Sequence, residues 1–250
     1  DCVCVCVCLV CACVCDRDMD IVVSVVATSL TLIGGLACVV DPARWPKRVP
    51  AGKIGVPAKL FHRGIGALTV SGAALQGILL LTPDAGSRVS LGVLAASGIV
   101  FALQAYDLIL NSDLPESLAH PPGADKLPVS GFHKAVVAVA FAIVALSLAS
   151  VAGAVSPTLC LKVWSVYTFL RGLVLAGMNT PEKTRAIVLQ AMFPNFEDVS
   201  DALGLQALAW AAPRLGYMFL CLSAQAAILL WAPASWACMF FIGCFCVCIR

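Results

Sequence analysis

The chain has 250 residues, 61% of them hydrophobic and 12% charged, with a net charge of +2 and a mean hydropathy of +0.97. A soluble domain carries about 25% charged residues, so half that supply cannot cover a water-facing surface of this size. A charge so near neutral gives no footing for a nucleic-acid partner. The apolar residues come instead in runs that can cross hydrocarbon, which takes roughly 20 residues per helix.

Residues 1–20 form a Cys/Val-rich, low-complexity segment, and half of the 14 cysteines lie in the first fifteen positions. Strict Cys-Val alternation is not a metal-ligand spacing, because ligands must converge on one point. It matches the in-frame translation of a TG dinucleotide repeat, and we expect residues 1–15 to be a translated simple repeat. A disulfide framework belongs to small secreted domains rather than to a membrane chain. Residues 21–250 read as one transmembrane helical domain. The first span is predicted at about 21–40, between Asp20 and Asp41-Pro42. A basic connection follows at 41–63, where Arg44, Lys47, Arg48, Lys53, Lys59 and Arg63 face Asp41 alone. Its prolines and glycines argue against a long helix.

Further spans are predicted at about 64–81, 91–110, 133–155, 159–178, 215–231 and 236–249, the last being the weakest pattern. The breaks between them are Thr82-Pro83-Asp84-Ala85-Gly86, a proline-bearing loop at 111–130, and Ser156-Pro157. Thr180-Pro181-Glu182 has the form of an N-cap, a first-turn proline and a first-turn acid. It opens an amphipathic helix over 181–192, too short to span and suited to the membrane surface. A second short helix over 199–212 is expected to stop at Pro213. The fold class is therefore all-α: a polytopic bundle of six to seven spans with a short surface helix. Alternation of direction puts 41–63, 111–132 and 179–214 on one side. That side collects most Lys and Arg and should face the cytoplasm, stroma or matrix.

Three histidines are present, His62, His120 and His133, all on the basic side. His62 and His133 each follow a phenylalanine and precede a cation. The plain reading is interfacial anchoring; the sharper one is axial ligation of haem or chlorophyll by a neutral imidazole. The stretch from Phe61 through His62-Arg63-Gly64-Ile65-Gly66 is locally similar to the His-Arg-x-x-Gly helix start of the cytochrome b anchor of succinate dehydrogenase. That resemblance implies a nearby quinone site. Lys59 stands where that family has serine, the next span has no haem-ligand histidine, and that anchor has three spans.

Charge inside hydrocarbon is costly and marks function. Asp107 in the third span and Arg171 in the fifth lie near the same side, where a structural ion pair would neutralise both. Lys162 is close enough to the far end to snorkel. Gln76, Gln104 and Gln225 occupy three spans, as interhelical hydrogen-bonding groups or as magnesium ligands of chlorophyll. Small residues four apart, such as Ala67 with Ser71 and Gly92 with Ala96, permit close packing of helices, or flat contact with a ring or polyene.

No P-loop, GxSxG, HExxH or pair of CxxC motifs at zinc spacing occurs, and no metal ligands are assigned. We expect a non-catalytic accessory subunit of a large energy-transducing complex, a photosystem-type assembly first, with other membrane subunits and lipids as partners. Chlorophyll and carotenoid are the cofactors this implies, and the thylakoid the membrane. The alternatives are a respiratory anchor for haem or quinone, in the mitochondrial inner membrane, and a small-solute transporter whose path Asp107 and Arg171 would line.

Overall fold

The computed structural model describes residues 17–41, 56–81, 85–113, 131–178, 180–184 and 202–231, which are helical apart from short turns and contain no strand. In chain order the helices are α1 (Arg17–Val40), α2 (Val56–Leu81), α3 (Ala85–Asp113), α4 (Gly131–Val151), α5 (Pro157–Ala176), the single turn α6 (Pro181–Thr184) and α7 (Ala202–Trp231). Five carry apolar stretches long enough to cross a bilayer: Phe61–Leu81, Arg88–Tyr106, Lys134–Val151, Pro157–Ala176 and Ala209–Trp231. These are five of the expected spans. The span expected at 21–40 is helical, but its apolar stretch, Ser24–Val40, is the shorter one. The seventh, at 236–249, lies outside the described residues with the Cys-rich start.

Three boundaries differ from expectation. α2 begins at Val56 rather than near 64, because Pro57 falls in its first turn, where a missing N–H costs nothing. α4 ends at Val151 rather than 155. There Ala154 N–H reaches the Ala149 carbonyl (2.9 Å) and Gly153 N–H the Ser150 carbonyl (3.1 Å), with Gly153 at φ +78°. That is the Schellman geometry, in which a glycine adopts the left-handed conformation closed to other residues. Ser156 then caps α5: its hydroxyl accepts from Leu159 N–H at 3.2 Å, and Pro157 follows as the first helical residue.

The third difference is at Pro213. Two helices were expected, one stopping there; instead α7 runs unbroken through it. The proline removes the N–H that would bond to Ala209, yet Arg214 directs a guanidinium N–H to the Trp210 carbonyl at 3.1 Å. In a membrane such side-chain bonds and packing by neighbours hold a helix through a proline. Of the surface helix expected over 181–192, the turn Pro181–Thr184 is present, and Thr180 Oγ1 accepts from Lys183 N–H at 3.3 Å as its cap. The remainder lies outside the described residues.

Helices α2, α3, α5 and α7 pack in a ring, each against the next, with α1 laid on α2 and α4 across α3 and α5. The buried share of each span orders them: 67% for α2 at the centre, 22% for α4 at the edge. Glycine permits the closest approaches. A Cβ on Gly66 would lie 2.7 Å from both the Gly35 carbonyl and the Cys38 Cβ of α1, and one on Gly216 would overlap the Ala176 backbone of α5.

The outer face is apolar, and polar side chains are buried within a largely apolar core. Val26, Leu30, Ile33, Phe141, Leu170 and Val174 face outward, while Ser71, Gln76, Ser97, Ser147, Thr168 and Gln225 are buried. The inner hydroxyls bridge helices. Thr28 donates to Gln76 Oε1 (3.2 Å), and Ser71 to the Ala96 carbonyl (3.0 Å). Ser90 pairs with Ser150 (2.8 Å), and Ser223 donates to the Ser165 carbonyl (2.8 Å). Others fold back on their own helix, as Thr168 does to the Trp164 carbonyl at 2.9 Å. Apolar outside and hydrogen-bonded polar inside is the arrangement a lipid solvent demands.

Candidate functional site

One end of the ring gathers the unusual chemistry. There the spans of α2, α4 and α7 begin and those of α3 and α5 end, at Tyr106 and Ala176. His62 occupies the first turn of the α2 span and is only 3% exposed. Its ring stacks on the Trp210 indole of α7, with centroids 5.1 Å apart and planes 18° apart. On the same indole lies the Arg214 guanidinium, 3.7 Å from the ring centroid. The imidazole thus belongs to a His62–Trp210–Arg214 stack joining α2 to α7. The imidazole is enclosed by protein at the start of the span, which leaves both the anchoring and the ligand readings of His62 open.

Next to it on α2, Arg63 lies over the Tyr106 ring of α3, 5.4 Å from the centroid. The third arginine, Arg171 of α5, donates through Nη1 to the Tyr167 hydroxyl at 2.9 Å and lies 4.7 Å from the Phe219 centroid of α7. Gln104 Nε2 of α3 donates to the same hydroxyl at 3.3 Å. Three helices of the ring therefore meet at one phenol. Trp164, one turn earlier on α5, sits 5.9 Å from the Tyr167 ring. Each guanidinium lies over an aromatic face within reach of a cation–π contact. Among the described side chains this end also carries Lys134 and Lys183, against Asp41 and Glu182; Arg88 and Lys162 lie toward the other end.

The remaining predicted residues are dispersed. Gln76 is fully buried and bonds to Thr28, well below the arginines. Gln225 is also fully buried, and neither end of its amide has a hydrogen-bond partner; the same holds for Gln104 Oε1 and Trp164 Nε1. Asp107 falls on α3 one turn beyond Gln104, at the level where Arg171 follows Tyr167 on α5, but its side chain lies outside the described residues. So do the side chain of His133, at the start of α4, and the whole of His120. His62 alone of the three histidines is therefore placed, with Gln104 in the neighbouring cluster.

The aromatic partners escaped sequence reading: Tyr106, Tyr167, Trp210 and Phe219. A signal was there. Tyr167 with Arg171, and Trp210 with Arg214, are both aromatic–arginine pairs four residues apart, the spacing that stacks side chains on one helix face. At the opposite end Ser90, Ser150 and residues 153–157 line an open depression of about 560 Å³ between α3 and the α4–α5 turn. No protein-family model, curated protein or solved structure matches the chain.

Proposed function

We propose that the protein is a non-catalytic integral membrane subunit of a larger energy-transducing assembly. The observation that carries this reading is where the interior polar groups go. The bonds from Thr28, Ser71, Ser90 and Ser223 tie one helix to another, as a frame requires. Meanwhile α1, α4 and α5 keep long apolar faces outward, beside which further membrane helices can lie. A photosystem-type complex is the member of this class we favour, with buried His62 and Gln225 as the candidate pigment-facing groups. The test is solubilisation in mild detergent, followed by native sizing, subunit identification and an absorption spectrum. Co-migrating membrane subunits with chlorophyll bands are expected. A colourless monomer overturns the reading.

The burial of His62 inside the bundle supports one second reading, a haem- or quinone-binding anchor. That reading requires a haem Soret band or a copurifying quinone, lost in His62→Ala.

A further inference from the structure

Arg171 at the basic end is not explained by a framework role. Arg171 lies five residues before the end of α5, about 7 Å inside the span at 1.5 Å per residue. A cation at that depth is expensive unless something of opposite charge or strong polarity meets it. Its described partners are a phenol and a ring, both neutral. The phenol carries a further clue. Tyr167 accepts from Gln104 and from Arg171, and among the described residues its own proton has no acceptor. A guanidinium beside a hydroxyl donor is a site for an acceptor oxygen, and for an anionic one first.

The surroundings narrow the ligand. Leu170, Leu173 and Val174, on the same stretch of α5, are exposed large apolar residues, and suit acyl chains. Arg63 and Arg214, which lie over Tyr106 and Trp210, stand at the α2 and α7 corners of the same end. Planar guanidinium matches a phosphate by two parallel hydrogen bonds. We propose that this arginine-bearing end of the ring binds the phosphate of an anionic glycerophospholipid, with Arg171 and Tyr167 as the donors. The site does not depend on the protein being a subunit of a complex.

Native mass spectrometry of the full chain in mild detergent, with equimolar phosphatidylglycerol and phosphatidylcholine, tests this. Retained phosphatidylglycerol should exceed phosphatidylcholine about tenfold, because the choline cation of phosphatidylcholine offsets the charge of its phosphate beside a guanidinium. Arg171→Gln should bring the two toward parity, and Arg171→Lys should restore part of the preference. Lys162→Gln, at the opposite end, should leave it intact. Circular dichroism reports whether each variant folds; if Arg171→Gln does not, Arg214→Gln should show a reduced preference in its place. Equal retention of the two lipids overturns the proposal. So does a preference untouched by Arg171→Gln, which would leave Asp107 as that arginine's counter-charge, and so does an equal loss in Lys162→Gln. Displacement of the lipid by millimolar inorganic phosphate overturns the lipid assignment in favour of a soluble phosphate ligand.

Discussion

Two glycines show how one missing atom matters for opposite reasons. At Gly216 the constraint is space: an added Cβ runs into main-chain atoms of Leu175 and Ala176, which cannot rotate away as a side-chain tip can. Gly216→Val should force α7 off α5 and cost about 3 kcal/mol, the upper range for overpacking, read as a lower midpoint in thermal unfolding followed by circular dichroism in detergent. At Gly153 there is open space around the missing Cβ, but φ is +78°. Gly153→Ala should cost about 1–2 kcal/mol, the penalty of the left-handed conformation. Gly98, with open space and no such backbone constraint, is the control: Gly98→Ala should leave the midpoint unchanged or raise it slightly. A fall at Gly98 as large as at Gly153 would remove the conformational explanation.

Among the elements, α7 departs furthest from what its sequence implies. Pro213 reads as a helix stop, and in an isolated peptide it would cost about 3 kcal/mol. In the folded chain the residues on either side of it are held from without. Trp210 is stacked on His62 of α2, and Leu215 packs against Gly64. The helix continues because breaking it would undo those contacts. Pro213→Ala restores the N–H facing Ala209 and should raise the unfolding midpoint; a drop would mean that the proline itself shapes the packing of α7. The α5–α7 pairing is testable through Ser165 and Ser223, whose hydroxyls lie 3.2 Å apart with crossed bonds to each other's carbonyls. A double-mutant cycle with Ser165→Ala and Ser223→Ala should give a coupling of about 0.6 kcal/mol, the average for interhelical bonds in membranes. A coupling of zero would make these bonds incidental to the pairing.

For the molecule as a whole, the topology makes one claim that reaches beyond any single contact: Lys134 and Lys162 stand near opposite ends of neighbouring antiparallel helices, α4 and α5. In sealed vesicles of uniform orientation, an impermeant maleimide should label only one of Lys134→Cys and Lys162→Cys above the parent chain. Labelling of both from one side would overturn the crossing of α4 and α5. Much of this was legible from composition. Five apolar spans and the break before α5 follow from apolar run length and from Ser156-Pro157, because hydrocarbon thickness and backbone chemistry act locally along a chain; the glycine turn that ends α4 at Val151 did not. Asp107, His120, His133 and the ends of the chain stand where the sequence alone left them. Which helix is central was not legible, since α2 and α4 both carry an apolar stretch long enough to span and only α2 is enclosed. The continuity of α7, the burial of His62 against Trp210, and the meeting of Gln104, Tyr167 and Arg171 were decided by tertiary structure. Each joins residues from separate helices, and in a lipid solvent that surrounds every apolar helix alike, only close packing and interhelical hydrogen bonds select which helices become neighbours.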